Sequence, residues 1–244
     1  MSSPSEGAER SSTIGTGDQA ERSSTIGTQP DLPTIAARVA AFSAGHRRDV
    51  DPEDLPPVRG RDGTARPPRR AAVAVVVLSD PARGPGVLLT RRTSQLRDHP
   101  GQFALPGGSV DPGEDTVTAA RRELDEELGL ALGADCVAGI LDDYPTRSGF
   151  VITPVVMTVD ARLEELTPSP DEVEQIFHVT LDELDVEPYY LEIPESDRPV
   201  IQLPIVGHRV HAPTAAVLLQ FREVALRARP TRVDGLEQPV FAWR

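Results

Sequence analysis

The sequence contains no lysine, and all 25 of its basic residues are arginines, against 38 acidic residues. A Schiff-base lysine and the lysine of a Walker-type P-loop are therefore excluded. Any cationic recognition of phosphate must use arginine, whose planar guanidinium suits phosphate oxygens. The net charge of −13 and the isoelectric point near 4.8 argue against a nucleic-acid-binding surface as the main function.

Cysteines and long apolar segments are also scarce. Cys136 is the only cysteine, so the chain cannot form an intrachain disulfide, and a cytoplasmic location is expected. The sequence has no run of about 18 apolar residues, so we expect no membrane-spanning helix. The N-terminus lacks the basic and apolar regions of a secretory signal.

Composition divides the chain into three parts. Residues 1–30 are rich in Ser, Thr and Gly and contain the segment AERSSTIGT twice, which predicts a disordered tail. Residues 31–70 predict a short helix from Asp31 to Ala44, followed by a linker rich in Pro and Arg. Residues 71–244 are expected to form one domain that includes a C-terminal helix.

Apolar runs bounded by turn residues predict the strands of this domain. The run AAVAVVVL predicts a buried strand over Ala71–Leu78, paired with Gly86–Thr90 across a turn. Further strands are predicted near residues 135–142, 151–159 and 175–179. Pro213 precedes an apolar segment that predicts a helix over Thr214–Arg227. Strands interspersed with helices favour an α/β sandwich.

The most informative segment is residues 108–130, which fits the pattern G-x5-E-x7-R-E-U-x-E-E-x-G-U, with U a bulky aliphatic residue, at every specified position. A helix is predicted over Glu114–Leu128. Glu123, Glu126 and Glu127 are spaced i, i+3 and i+4, so their carboxylates lie on one helix face. Such carboxylates repel one another and are the ligands that Mg²⁺ and Mn²⁺ prefer, which predicts a divalent metal site.

The same helix has an apolar stripe, expected on a different side from the three glutamates and packed on the core. Its members are Val117, Ala120, Leu124 and Leu128. Gly129 stands where a C-cap glycine is expected. Arg122 is expected to hold Glu114 or Glu123 by a charge-assisted hydrogen bond. Gly107 and Gly108 let the backbone pass close to a metal or a phosphate.

The segment resembles the Nudix box, the metal-binding signature of hydrolases that cleave a nucleoside diphosphate linked to another group. The resemblance implies an α/β/α sandwich with a mixed β-sheet and a bound Mg²⁺ or Mn²⁺. It also implies that Glu123, Glu126 and Glu127 bind the metal, and that these residues and Arg122 are catalytic.

The resemblance leaves the catalytic base open. A carboxylate must accept a proton from the attacking water, and Glu126 or Glu127 can do so as well as bind metal. Alternatively, the base comes from a later loop, where Glu172 and Glu174 are the candidates.

A second motif, LLTRRTSQLRDHPGQFALPGG, runs from Leu88 to Gly108. It resembles the signature L-L-T-x-R-[SA]-x3-R-x3-G-x3-F-P-G-G of the coenzyme A pyrophosphatases, a branch of the Nudix hydrolases. The chain departs from that signature at two positions, where Thr93 replaces Ser or Ala and Leu105 replaces Phe.

This second resemblance implies that coenzyme A is cleaved to 4′-phosphopantetheine and adenosine 3′,5′-bisphosphate. Substrate binding is then assigned to Arg92, Arg97, Gly107 and Gly108. The alternative for the two arginines is an ordinary ion pair with a nearby acid. His99, in the same loop, can touch phosphate or be purely structural.

Two other functions stay open. A Nudix hydrolase with another substrate, such as ADP-ribose, a dinucleotide or an oxidised nucleotide, would have the same box. A Nudix module that senses a nucleotide without cleaving it would be stabilised by its ligand and release no product. The expected partner is a small nucleotide-derived molecule, with no nucleic acid and no membrane, and the oligomeric state is open and allows a homodimer.

Overall fold

The computed structural model of the chain describes residues 29–59, 63–94 and 101–243. The predicted tail over residues 1–30 lies outside these ranges except for its last two residues. Among the described residues, no helix combines the length and the apolar character needed to cross a membrane.

Four α-helices and three β-sheets make up the described part of the chain. The helices are α1 (Leu32–Gly45), α2 (Thr116–Leu128), α3 (Leu181–Leu184) and α4 (Thr214–Phe221), and α4 continues as a π-helix over Arg222–Leu226. The main sheet consists of β3 (Arg69–Asp80), β4 (Gly84–Arg92), β5 (Phe103–Ala104), β6 (Gly107–Ser109), β7 (Val137–Ile140), β8 (Tyr144–Pro145), β9 (Phe150–Asp160) and β10 (Val173–Thr180). The smaller sheets are β1 (Val58–Arg59) with β2 (Ala65–Arg66), and β11 (Tyr189–Ile193) with β12 (Ser196–Ile205) and β13 (His208–His211).

The main sheet is mixed, with the order β10-β4-β3-β9-β7. Its central strand β3 pairs antiparallel with β4 and β6, and parallel with β9. The predicted pairing of Ala71–Leu78 with Gly86–Thr90 is confirmed, with Val77 opposite Val87. The valine-rich sequence of β3 suits this central position, because a central strand is buried on both faces of the sheet.

Helices cover both faces of the main sheet. On one face, Ala120, Leu124 and Leu128 of α2 pack in a core with alternate residues of β3. On the other face, α1 and α4 pack in a second core that contains the intervening residues of β3 and part of β12 and β13. The fold is therefore an α/β/α sandwich around a mixed sheet, as the sequence predicted.

Most predicted elements are present, with differences at their ends. The helix predicted from Asp31 is α1, in which the Asp31 carboxylate accepts a hydrogen bond from the Thr34 N–H at 3.0 Å. Because α1 and β3 share one core, the helix before residue 71 packs directly on the domain. The division at residues 30 and 70 stays a prediction. The sheet β11–β13 was not predicted from the sequence, since its strands lack a clear apolar alternation.

Candidate active site

The helix α2 has strong signals at both ends. Asp115 is the N-cap, and its carboxylate accepts a hydrogen bond from the Thr118 N–H at 2.7 Å. Gly129 ends the helix in the left-handed conformation, with φ +64°, as predicted. The helix begins two residues later than predicted because Glu114 lies in the preceding loop, where its carboxylate accepts hydrogen bonds from Asp111 N–H and from Arg122.

Arg122 binds three carboxylates at once. Its Nε lies 3.1 Å from Glu114 Oε1, and its Nη1 lies 2.9 Å from Glu123 Oε1 and 3.0 Å from Glu126 Oε2. Its Nη2 also donates to the carbonyl of Ser109 in β6. The hydrogen bond from Arg122 lowers the pKa of Glu114 below its usual value. One guanidinium therefore bridges three of the carboxylates that the box concentrates here and offsets one of their three charges.

Glu127 has a different environment from the other glutamates of the helix. Its side chain is only 3% exposed, and its nearest cation is Arg92, whose Nη1 lies 3.8 Å from Glu127 Oε1. Burial raises its pKa to about 8, with the charges of Glu172 and Glu123 acting in the same direction and Arg92 opposing them. Burial also raises the pKa of Glu123.

The expectation that the three glutamates all lie away from the core face was wrong for Glu127. It stands three residues after Leu124 and seven after Ala120, so it lies at the border of the apolar stripe and is buried with it. Val117, by contrast, is only partly buried at the edge of that core. The helix thus presents a buried carboxylate next to the half-buried Glu123 and the exposed Glu126.

Gly107 and Gly108 are the first two residues of β6, which pairs with β3 and contacts α2. A Cβ on Gly108 would lie 2.3 Å from Glu123 Oε1, so glycine leaves room for this carboxylate in its present conformation. Gly107 has φ +156°, and a Cβ there would lie 2.3 Å from the carbonyl oxygen of Ala72. The two glycines therefore bring the backbone of β6 directly against the acids of α2.

A cavity of about 770 Å³ opens beside β6. Among the described residues, its wall contains four arginines and no aspartate or glutamate. The arginines are Arg66, Arg69, Arg92 and Arg209. Phe103, Phe150, His211 and Phe241 add aromatic surface to the wall. A cationic cavity in a chain of net charge −13 indicates an anionic ligand.

The carboxylates of α2 fit a divalent cation in their chemistry and helical spacing. In their present conformations Glu123 and Glu126 bind Arg122, and Glu127 lies beside Arg92. The described residues contain no group of three or more His, Cys, Asp or Glu side chains already arranged to hold a metal ion. Glu126 is the most adaptable of the three, since its side chain is 56% exposed.

Only some of the other predicted site residues lie near Glu127 and the cavity. Arg92 lines the cavity and lies beside Glu127, so it both forms an ion pair and faces the cavity. Of the loop acids, Glu172 helps to raise the pKa of Glu127 through its charge. The exposed Glu174 instead forms an ion pair with Arg91, with 3.0 Å between Glu174 Oε1 and Arg91 Nη2. Arg97 and His99 lie outside the described residues.

The structure shows the surroundings of both residues that depart from the second motif. Leu105 is buried in the core that α4 covers. The Thr93 hydroxyl donates a hydrogen bond to the carbonyl of Asp171, and a serine could make the same bond.

Several residues of the cavity wall were missed in the sequence. Arg66 and Arg69 were assigned to a linker, and Phe150, Arg209 and Phe241 were not singled out. No local pattern indicates them, because the parallel pairing of β3 with β9 and the position of β13 bring them together.

Comparison with known proteins gives a consistent family. The NUDIX domain model matches residues 68–203. The uncharacterized Nudix hydrolase NudL of Pectobacterium atrosepticum is 40% identical to this chain over 116 residues, which cover 47% of this chain and 59% of that protein. NudL of Klebsiella pneumoniae is 41% identical with the same coverage. The chain thus matches less than two thirds of the length of these relatives.

Solved structures of Nudix hydrolases are more distant. The Nudix hydrolase RenU from M. smegmatis is 22% identical, covers 70% of this chain and 94% of its own, and superposes with a TM-score of 0.45. A bifunctional NMN adenylyltransferase/ADP ribose pyrophosphatase from Francisella tularensis, complexed with AMP and a Mn ion, is 23% identical, covers 47% of this chain and 34% of its own, and has a TM-score of 0.37.

Proposed function

Because the chain belongs to the Nudix family, we propose that it is a metal-dependent hydrolase that cleaves the pyrophosphate of coenzyme A or of a coenzyme A derivative. The products are 4′-phosphopantetheine and adenosine 3′,5′-bisphosphate. The observation that best supports this proposal is the arrangement around Gly107 and Gly108. Clustered carboxylates lie on one side of these glycines, and a cavity lined by arginines opens on the other.

The metal ligands in this proposal are Glu123, Glu126 and Glu127, and the ion is Mg²⁺ or Mn²⁺. When bound, such an ion neutralises phosphate oxygens and acidifies a bound water. Glu127 must lose its proton to act as a ligand, and Glu126 must leave Arg122. Arg122 keeps two further partners, Glu114 and the Ser109 carbonyl, so it continues to hold the loop against α2.

A carboxylate next to the reacting phosphate accepts the proton of the attacking water. Glu126 and Glu127 remain candidates for this role. Of the two loop acids, Glu172 is the better supported, because its charge raises the pKa values of both Glu123 and Glu127. Glu174 is the weaker candidate, since its carboxylate is engaged by Arg91.

The pyrophosphate is held by Arg92, which faces the cavity and lies beside Glu127. In this position its guanidinium can exchange a carboxylate for phosphate oxygens. The backbone of Gly107 and Gly108 allows the substrate to approach the acids without obstruction by a side chain. Arg97 stays a predicted substrate-binding residue.

Product analysis by liquid chromatography and mass spectrometry tests the proposal. The protein is incubated with Mg²⁺ or Mn²⁺ and with coenzyme A, acetyl-coenzyme A, ADP-ribose, NADH or 8-oxo-dGTP, with Glu127→Gln as the blank. We expect adenosine 3′,5′-bisphosphate to form fastest, from a coenzyme A species. Faster cleavage of another substrate would overturn the coenzyme A assignment, and the absence of any product would favour a nucleotide sensor.

A further inference from the structure

One end of the cavity lies where β3 begins. The Arg69 N–H donates a hydrogen bond to the Gly149 carbonyl at 2.9 Å, and Arg69 stands opposite Phe150 in the parallel pairing of β3 with β9. The Arg69 guanidinium lies over the Phe150 ring, 4.8 Å from its centroid. Two strands and an aromatic ring therefore position this guanidinium at the cavity wall.

Arg69 has no carboxylate partner among the described residues. Most of the other arginines described in this acidic chain form ion pairs, as Arg122 does with its three glutamates. Arg66 also lines the cavity, and its Nε donates a hydrogen bond of 3.1 Å to the Thr64 hydroxyl. Because no carboxylate is among the described residues that line the cavity, its wall attracts an anion.

The strand register separates the backbone of Arg69 from the strand position opposite Gly108. Ala72 of β3 stands opposite Gly108 of β6, which contacts Glu123. Three residues of strand separate Arg69 from Ala72, which corresponds to about 10 Å. An anion held by Arg69 is therefore distinct from a pyrophosphate at Gly108, but both can belong to the same nucleotide.

We propose that Arg69 forms a second phosphate site that binds a phosphate monoester on the ribose of the substrate. The inference rests on the proposed function, because in coenzyme A this group is the 3′-phosphate, separated from the pyrophosphate by the ribose. Arg69 then determines specificity, since dephospho-coenzyme A and ADP-ribose lack a phosphate at that position. The guanidinium forms charge-assisted hydrogen bonds with the phosphate oxygens.

The activity test compares kcat/KM for coenzyme A and for dephospho-coenzyme A. We expect Arg69→Gln to lower kcat/KM at least about tenfold for coenzyme A, as for the loss of one charge-assisted contact, and to leave dephospho-coenzyme A within about twofold. Arg69→Lys keeps the charge and should restore part of the loss. An equal loss for both substrates, or no loss for either, would overturn the proposal.

Arg209→Gln is the matched control. Arg209 lines the same cavity and also lies 4.8 Å from the centroid of an aromatic ring, that of Tyr189, but it belongs to β13. We expect this substitution to change kcat/KM for the two substrates by the same factor. The opposite result would refute the assignment: the preference for coenzyme A over dephospho-coenzyme A in kcat/KM would be lost in Arg209→Gln and kept in Arg69→Gln.

A binding experiment separates this inference from the proposed function. Isothermal titration calorimetry with adenosine 3′,5′-bisphosphate and with AMP needs no turnover. We expect the protein to bind the bisphosphate at least about tenfold more tightly than AMP, and Arg69→Gln to remove that preference while keeping the thermal midpoint. Should coenzyme A not be cleaved, the proposed function fails, but this preference would still support the second phosphate site. Equal binding of the two nucleotides by the unmodified protein would refute it.

Discussion

The two sides of β6 differ in how their charges are compensated. On the α2 side, Arg122 binds three carboxylates, while Glu127 is buried with only the more distant Arg92 as a counter-charge. On the cavity side, Arg69 and Arg209 lie over aromatic rings and have no carboxylate partner among the described residues. The contrast indicates that one side suits a cation and the other an anion, as the proposed metal-dependent reaction on a phosphate compound requires.

The largest effect is expected from replacing the buried carboxyl group of Glu127 in α2. Glu127→Gln should lower kcat with Mg²⁺ by at least about 10³-fold, because it removes a proposed metal ligand and a candidate base. Asp125→Asn is the control, since it removes an exposed carboxylate from the same helix and should leave kcat within about twofold. Steady-state kinetics measures both. Full activity of Glu127→Gln would refute the role of this residue.

A smaller effect is expected from altering the contact between Gly108 of β6 and the Glu123 carboxylate of α2. Gly108→Ala would place a Cβ 2.3 Å from Glu123 Oε1, and the carboxylate, as the end of a flexible side chain, should move away. We expect Mn²⁺ affinity to fall about tenfold or more, with the fold retained. Gly235→Ala is the control, because a Cβ there would meet no atom within 4 Å. Titration calorimetry with Mn²⁺ would contradict this account if both variants bound the ion equally well.

The last effect concerns the stability of the metal-free protein and its pH dependence. The pKa of Glu127 is raised from 4.5 to about 8 in the folded chain, so folding favours the protonated carboxyl. The associated stability is fully present below about pH 4.5 and is lost as the pH rises through about 8. Relative to Glu127→Gln, the protein should therefore become less stable across this range.

Urea unfolding in the presence of a chelator measures this difference at each pH. Glu123 is present in both proteins, so its own titration largely cancels in the comparison. A difference in unfolding free energy that stays constant between pH 4.5 and 8 would show that Glu127 is not buried as described.

The same comparison shows what a sequence can reveal. The acid side depends on residues 108–130, whose spacing specifies a helix, its caps and the i, i+3 and i+4 relation of its glutamates. Arg122 was expected to hold Glu114 or Glu123, and it binds both. It also binds Glu126, which stands four residues later on the same helix face. The burial of Glu127 could have been inferred from its position next to Leu124 on the apolar stripe.

The cavity side could not be predicted in this way. Arg69 and Phe150 are 81 positions apart and meet only because β3 and β9 pair in parallel. Arg209 and His211 reach the wall through the sheet β11–β13, which has no clear periodicity in the sequence. Contacts of this kind depend on the register of distant strands, which local patterns do not specify.

The most direct test of the account is to locate a divalent cation in a crystal of the protein soaked with Mn²⁺, by anomalous diffraction. We predict a peak within coordination distance of the carboxylates of Glu123, Glu126 and Glu127, with Arg122 no longer bonded to Glu126. A peak at other residues, or no peak beside α2 at a concentration that saturates activity, would contradict the assignment of the acid side as the cation site.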